Sequence, residues 1–181
     1  MSRPGPEEHH EYYSTYIDKV PDEPILDVLR QAPDALDELL SGLSPADEHH
    51  AYAEGKWTLR EAVGHVADTE RIFAQRALHI AREDASPLPG MDQNVWAAAS
   101  NAAQRPLASL LAEFRHQRQA NVELFASFDD EILDRRGIAS GFEFSVRALV
   151  YIVAGHELHH RAILVERYLP TLGGGDGARD A

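Results

Sequence analysis

Three histidines carry the clearest chemistry in this sequence: His65, His156 and His160. The last two lie four residues apart in the segment Val153-Ala-Gly-His-Glu-Leu-His-His-Arg161. Four residues make just over one helical turn, so both imidazoles leave the same helix face, with Cβ atoms about 5–6 Å apart. Two such rings can hold one metal ion at about 2.0–2.1 Å per bond, and His65, from another helix, is the best candidate for a third ligand. The spacing therefore predicts an open three-histidine site for a divalent ion.

The apolar stripe of the last predicted helix places this histidine pair in the core. The stripe comprises Leu149, Val153, His156, His160 and Ile163. Burying a polar ring without a partner costs on the order of 1–3 kcal/mol. The burial of two histidines therefore requires an interaction that satisfies both rings. Metal ligation is one reason, and hydrogen bonding of a core pair to carboxylates or backbone is the other. We prefer metal ligation, because His65 offers a third imidazole.

The same segment matches the zinc-protease motif H-E-x-x-H, in which the glutamate acts as a general base. The extended form of that motif fails, because Ile163 stands at its glycine position and Glu166 at its third histidine. Glu157 is either a base acting on bound water or a solvated side chain. We prefer the solvated side chain, because position 157 is turned about 100° from His156.

Two further charged residues, Glu70 and Arg118, fall on the inward faces of predicted helices. They either line a polar cavity or form a buried ion pair, and both interpretations stay open. Together with Glu157 they are the weak candidates for catalytic residues. Gly64 costs roughly 1 kcal/mol relative to alanine inside a helix, which the close approach of another helix would justify. His159 is expected on a flank of its helix, where it can orient a ligand.

Four long helical patterns must position these side chains, and little between them resembles a strand. The predicted helices span about 25–43, 58–82, 106–127 and 145–168. Pro33 predicts a kink or a restart in the first, and Thr58 with Glu61 has the spacing of a capping box in the second. Four amphipathic helices indicate an all-α four-helix bundle. Residues 85–105 are expected to cross it between helices 2 and 3 and to carry a short helix.

The composition describes one acidic domain of 181 residues, with a bundle over 12–170 and flexible ends at 1–11 and 171–181. A formal charge of −13 repels phosphate backbones, so we expect no binding to nucleic acid. No apolar run approaches the roughly 20 residues of a membrane span, and no secretion signal is visible. The absence of cysteine excludes disulfides and thiolate nucleophiles and fits a cytoplasmic protein.

Several motifs together resemble the DinB-like superfamily. They are the segments Tyr52–Arg71 (with Trp57, His65 and Asp68), Pro87–Asp92 followed by Trp96, and Gly155–His160. Their order and spacing are more specific than any one motif, and the resemblance covers roughly residues 12–170. It implies a four-helix bundle with an open metal site, whose ligands would be His65, His156 and His160. Position and spacing select the same three residues.

The resemblance implies a class of activity and leaves the substrate open. Relatives include metal-dependent transferases that use low-molecular-weight bacterial thiols, a thiol-dependent isomerase and metal-dependent hydrolases, and several are homodimers. We therefore expect a bacterial, homodimeric metalloenzyme that binds zinc or nickel and a small-molecule substrate. Its reaction would be hydrolysis or transfer to a small thiol, which must come from a cosubstrate because the chain has no cysteine. The alternative is a non-catalytic bundle that a metal only braces and that binds a ligand or partner.

Overall fold

Four long helices form the body of the computed structural model, which describes residues 1–172. That part of the chain holds seven α-helices and one two-stranded sheet. The helices are α1 (Ser14–Ile17), α2 (Ile25–Leu39), α3 (Leu59–Ala81), α4 (Gln93–Ala99), α5 (Leu107–Ala126), α6 (Asp130–Asp134) and α7 (Val146–Ile163). The strands are β1 (Arg136–Ala139) and β2 (Phe142–Ser145). None of the helices within residues 1–172 combines the length and the apolar composition that a membrane crossing requires.

The long helices α2, α3, α5 and α7 pack as a four-helix bundle, which confirms the predicted fold class. Helices α2 and α3 each pack against both α5 and α7. Apolar side chains fill the bundle in two clusters, one around Phe73, Phe125 and Leu149 and the other around Leu59 and Phe114. Each helix thus buries its apolar stripe against the others, as the periodicity requires. The long connection between α3 and α5 contains α4, the short helix expected there.

The helix ends follow local capping chemistry. Thr58 caps α3 in a capping box with Glu61, as predicted, and the Ser145 side chain accepts a hydrogen bond at the start of α7. Helix α7 does not continue regularly to Tyr168, because Leu164–Tyr168 form a π-helical turn. This wider turn changes the direction in which the last side chains point.

Pro33 was predicted to cause either a kink or a restart in the first long helix. Helix α2 continues through Pro33 without a restart. Proline has no N–H, so the carbonyl four residues earlier, that of Leu29, loses its helical donor. The guanidinium of Arg118 on α5 donates to this carbonyl at 3.3 Å. A donor from a neighbouring helix therefore replaces the missing backbone bond.

A β-hairpin of two four-residue strands lies between α6 and α7, in keeping with the expectation of little strand, although its position was not predicted. Strands β1 and β2 are antiparallel, with Ala139 paired to Phe142. Ser140 and Gly141 form the turn with φ values of 54° and 82°. Two consecutive positive φ angles are typical of the type I′ turn that closes two-residue hairpins. The Ser-Gly pair between two short apolar runs was the available sequence signal.

The first thirteen residues dock on the bundle, which differs from the flexible N-terminus expected up to residue 11. Arg3 donates to the carbonyl of Ile17 at 2.6 Å. The buried carboxylate of Glu8 pairs with Arg147 of α7 at 3.4 Å. These partners lie far away in the chain, so polar composition alone does not show them. Most of the tail expected over 171–181 lies outside the described residues, and the domain limits 12–170 stay a prediction.

Two glycines allow close contacts between segments. A Cβ at Gly155 of α7 would lie 2.1 Å from the backbone oxygen of Tyr16, so only glycine lets α1 lie directly on α7. A Cβ at Gly64 of α3 would lie 2.7 Å from the Cβ of Ala102 in the crossing connection. The approach that was expected to justify Gly64 therefore comes from this connection, at its 3-10 turn Ala102–Gln104.

Candidate metal centre

The structure brings the three predicted ligands together at the contact between α3 and α7. His65 comes from α3, and His156 and His160 come from successive turns of α7. The ring centroids lie 5.1 Å (65–156), 4.8 Å (65–160) and 4.5 Å (156–160) apart. One ring nitrogen from each lies within 4.8 Å of the other two. Nitrogens bound to one ion at about 2.1 Å are at most about 4.2 Å apart, so small ring rotations suffice for a common ion.

The chemistry of the donor set fits a divalent transition metal. Burial lowers the pKa of His65 to about 4. Burial, and then the neighbouring imidazoles, lower the pKa of His160 to about 3 and that of His156 well below its usual range. All three rings are therefore neutral near pH 7, which is the form that binds metal. Imidazole donors suit zinc, nickel, copper and iron, so the set does not select one ion.

Aromatic rings and one hydroxyl surround the histidines. The Trp57 ring lies 4.7 Å from that of His65, and Tyr16 presents an edge contact to His156 at 5.3 Å. The Thr69 hydroxyl, one turn along α3, lies 3.3 Å from Nδ1 of His65. A hydrogen bond of this kind fixes the orientation of a ligand ring. The Tyr168 hydroxyl donates to the carbonyl of Trp57 at 2.7 Å and so ties the π-helical turn to the site.

Two neighbouring cavities border the histidine cluster. The Lys56 cavity, of about 310 Å³, is lined by Lys56, Trp57, Asn94, His159, His160 and Tyr168 among others. The Arg76 cavity, of about 200 Å³, is lined by Tyr13, Thr69, Arg76, Met91, Ser140 and His156 among others. Tyr12, Tyr16 and Gln93 line both. His160 and His156 therefore each border space for a small molecule, whereas His65 lines neither cavity. His159 reaches the Lys56 cavity beside His160, in keeping with the flank position expected for it.

Glu70 and Arg118 form a buried ion pair and line neither cavity. The Arg118 Nε and Nη2 atoms donate to the two carboxylate oxygens of Glu70 at 2.8 and 2.7 Å. Asn121 donates to the same carboxylate at 3.0 Å. Of the two interpretations left open, the structure therefore supports the structural pair. Trp96 is 44 % exposed and also lines neither cavity.

Glu157 is buried, which corrects the prediction that it is solvated. Its exposed fraction is 2 %, and burial raises the pKa of its carboxyl. The physical reason is the position of α7, which α1, α2 and α3 cover on several sides. Every residue from 148 to 157 is buried, so no face of this stretch is left for a solvated side chain. Glu157 lines neither cavity. Its Oε1 lies 3.4 Å from Nε of Arg161, and this oxygen accepts no hydrogen bond.

Sequence reasoning missed several residues around the site, among them Tyr16, Thr69 and Arg76. A signal for the last two exists, because positions 65, 69, 72 and 76 follow one face of a helix. No comparable signal exists for Tyr16, since α1 is short and its contact with α7 depends on long-range packing.

Comparison with known proteins gives a consistent set of relatives. The family profile described as "DinB superfamily" matches residues 29–164. A protein of Oceanobacillus iheyensis named "Putative metal-dependent hydrolase OB0413" is 31% identical over 129 residues, which cover 70% of this chain and 73% of the relative. A protein of Geobacillus thermodenitrificans named "Putative metal-dependent hydrolase" is 26% identical over 138 residues, covering 74% of this chain and 76% of the relative.

A solved structure shares the fold. YfiT from Bacillus subtilis, described as "a probable metal-dependent hydrolase with an unusual four-helix bundle topology", superposes with a TM-score of 0.73. The match covers 91% of this chain and 90% of YfiT at 18% sequence identity. At this identity the likeness establishes the architecture, and the chemistry must be argued from the residues of this chain.

Proposed function

This chain belongs to the DinB superfamily, and from that premise we propose that it is a metal-dependent hydrolase of small molecules. His65, His156 and His160 would hold the ion, which is zinc or nickel. The names of two relatives support hydrolysis as the reaction class. The geometry of the three histidines supports the metal.

One observation carries the proposal of catalysis: two of the three histidines border a cavity, His160 the Lys56 cavity and His156 the Arg76 cavity. Among residues 1–172, no further histidine, cysteine or carboxylate joins the cluster. Structural zinc sites are closed by four protein ligands, whereas catalytic sites keep a position open to substrate or water. An ion held by three imidazoles beside a cavity corresponds to the second arrangement. This supports an enzyme over the alternative of a bundle that a metal only braces.

The side chains around the cluster have separate roles in this proposal. A bound divalent ion supplies Lewis acidity, which polarises a substrate oxygen and lowers the pKa of water. Thr69 orients His65, and the Trp57 ring shields that imidazole from bulk water. Burial and the hydrogen bond shared with Tyr12 raise the pKa of Tyr16, so its hydroxyl stays protonated. Since Tyr16 lines both cavities, it is placed to donate a hydrogen bond to a substrate oxygen.

Transfer to a low-molecular-weight thiol is the second reaction that the open site supports. A substrate thiolate suits the same open position as water, because thiolates are good ligands of zinc. The chain has no cysteine, so the thiol would be a cosubstrate. Dependence of turnover on an added thiol separates the two reactions. A homodimer remains part of the proposal, and sedimentation of the purified protein tests it.

Metal content is the first test. We expect the protein, purified without a histidine tag, to hold close to one equivalent of zinc or nickel and to hydrolyse a member of an ester and amide panel. His65→Ala should lose both the metal and the activity, because two imidazoles on one helix rarely retain an ion. His116→Ala, at an exposed position of α5, is the matched control and should behave as the wild type.

Less than roughly a tenth of an equivalent, unrestored by added zinc or nickel, would contradict the three-ligand site. Full metal occupancy without turnover, together with a large loss of thermal stability under chelator, would instead support the bracing role. Activity on casein that survives His65→Ala would support the zinc-protease reading of the H-E-x-x-H segment.

A further inference from the structure

Arg76 is a buried cation without an acidic partner. Its exposed fraction is 4 %. The other fully buried arginine, Arg118, has a bidentate carboxylate in Glu70, whereas no carboxylate within residues 1–172 forms an ion pair with Arg76. A buried charge is costly unless it is paired and hydrogen-bonded, so an unpaired guanidinium at this position calls for a reason.

The protein contacts of Arg76 are neutral and use only part of its guanidinium. Its Nη2 donates to the carbonyl of Pro89 at 2.9 Å and to the Ser140 hydroxyl at 2.8 Å, and the Tyr13 hydroxyl is a further neutral partner. The group also lies 5.4 Å from the centre of the Phe73 ring. A guanidinium carries five N–H donors in a planar fork, so donors remain for a further acceptor. Arg76 lines the same cavity as the candidate ligand His156.

We propose that Arg76 binds a carboxylate of the substrate, and that the substrate is a small carboxylate-bearing molecule held in the Arg76 cavity. This inference rests on the proposed hydrolase function. The planar fork of arginine matches a carboxylate with two parallel hydrogen bonds. A formal charge of −13 over the whole chain repels anions in general, so the binding of one requires such a local positive charge.

The charge of the cavity favours a carboxylate over a phosphate. No second lysine or arginine lines the Arg76 cavity, and one guanidinium balances a single negative charge. A phosphate monoester carries close to two charges near pH 7. The volume of about 200 Å³ limits the ligand to roughly ten non-hydrogen atoms on this side of the histidines.

Arg76 acts in recognition and not in the reaction itself. Its backbone lies eleven residues from His65 on α3, roughly 16 Å along the helix axis, and its long side chain reaches the cavity that His156 also lines. The carboxylate that it binds therefore lies at the Arg76 end of this cavity, and the reacting bond lies at the histidine end. Arg76 would therefore favour substrates that carry a carboxylate away from the reactive group over neutral molecules with the same reactive group.

The test measures the Arg76 side chain directly by NMR of the Nε–Hε group in metal-loaded protein labelled with ¹⁵N-arginine. The signal is assigned from its loss in Arg76→Lys. We expect acetate and propionate to shift it in a saturable manner, whereas the neutral analogue acetamide should not. Inorganic phosphate should shift it less than acetate at equal concentration.

Binding of propionate, measured by calorimetry, should weaken about tenfold or more in Arg76→Gln, because charge-assisted hydrogen bonds are among the strongest in proteins. Arg76→Lys should retain part of the affinity. Arg82→Gln, at an exposed arginine that follows α3, is the control and should bind as the wild type. If Arg76→Gln does not fold, the wild-type NMR titration and Arg76→Lys still decide the question.

Repeating the titration on chelator-treated protein distinguishes a failure of the carboxylate site from a failure of the proposed hydrolase function. A shift of the Arg76 signal that persists without metal and without any turnover supports the anion site even if hydrolysis fails. No shift with any carboxylate overturns the inference, and so does a stronger response to phosphate. Equal hydrolysis of neutral and carboxylate-bearing substrates by wild type and Arg76→Gln would also overturn it, while the hydrolase proposal would stand.

Discussion

Two glutamates in the interior show how much a carboxylate depends on its partners. Glu70 receives two hydrogen bonds from Arg118 and one from Asn121. Glu157 is equally buried, but its Oε1 has no hydrogen-bond partner. A buried carboxylate is tolerated when it is paired and becomes costly when it is not. Substitutions at the two positions should therefore have opposite effects on stability.

We predict that Glu157→Gln stabilises the protein at alkaline pH by about 1 kcal/mol, since it removes a poorly partnered buried charge. The pKa of Glu157 is raised above the ordinary value of 4.5, so the folded state holds its proton more tightly than the unfolded state. The wild type therefore loses stability as the pH rises above 4.5 toward the raised pKa, and the variant does not.

Urea denaturation at about pH 5 and pH 8 measures the difference for Glu157→Gln. The gain should be small at the lower pH and larger at the higher one. Glu166→Gln, at an exposed position further along the chain, should show no such gain. A variant less stable than the wild type at the higher pH would mean that attraction to Arg161 outweighs the cost of burial.

For the paired glutamate we predict the reverse: Glu70→Ala should destabilise the protein by roughly 3–5 kcal/mol, because it leaves the Arg118 guanidinium buried without a partner. Replacing both residues by apolar ones of similar size, as in Glu70→Leu with Arg118→Met, should recover much of this loss. Urea denaturation of the single and double variants decides the matter. A double variant as unstable as Glu70→Ala would show that the hydrogen bond from Arg118 to Leu29 matters more than the charge pair.

For individual residues, the features that depend on local spacing could be predicted from the sequence. The histidine pair follows from its i, i+4 separation, and the inward positions of Glu70 and Arg118 follow from the apolar stripes. The burial of Glu157 was not predictable in this way, because periodicity assumes one solvent face per helix and α7 has none between residues 148 and 157. Arg76 was missed since a single arginine on a helix gives no sign of a missing acidic partner.

Among the elements, the contact between α1 and α7 matters most for the candidate site. It brings the Tyr16 ring against His156 and His159, at 5.3 and 5.4 Å. Gly155 permits the contact, because any side chain there would overlap the backbone of Tyr16. Such a contact cannot relax by rotation of a side chain, since both partners are main chain. The site therefore depends on one glycine that does not itself touch a ligand.

We predict that Gly155→Ala displaces α1 and destabilises the protein, at a cost of about 1–3 kcal/mol that is typical of overpacking. Amide hydrogen exchange should become faster at residues 14–18, and the affinity for the metal should fall. Gly90→Ala is the matched control, because its Cβ would meet Ser140 only at 3.7 Å, an ordinary contact. Unchanged exchange in α1 would contradict the importance of this contact.

The bundle helices were predictable because apolar stripes and caps act within one element. The hairpin and α1 were not, for two different reasons. Strands β1 and β2 have four residues each, too few for alternation to stand out against the surrounding helical pattern. Helix α1 also has four residues, and its position is decided by distant partners on α7. Short elements are determined by tertiary contacts more than by their own sequence.

For the molecule as a whole, the buried histidines couple metal binding, pH and stability. The pKa values of His65, His156 and His160 are lowered from 6.5 by burial. Below pH 6.5 the unfolded chain therefore binds more protons than the folded protein does. Stability must then fall as the pH drops from about 6.5 toward about 4. A bound metal opposes this fall until protons displace it.

We predict that thermal unfolding of the metal-loaded protein occurs well above that of chelator-treated protein near pH 7.5, because an ion that binds only the folded state stabilises it. The two midpoints should converge toward about pH 4, where protons begin to compete with the metal for the buried imidazoles. His160→Ala should show no difference at any pH. A difference that persists well below about pH 3 would contradict ligation by histidines alone.

The π-helical turn Leu164–Tyr168 has a consequence for changes made far from the ligands. It orients the Tyr168 hydroxyl toward the Trp57 carbonyl, and the Trp57 ring lies against His65. Insertion or deletion of one residue in this turn would rotate Tyr168 by about 100° and release that carbonyl. Length variation near the carboxyl terminus can thus change the surroundings of the metal without altering any of the three histidines. Reactivity can change in this way while the ligands stay the same.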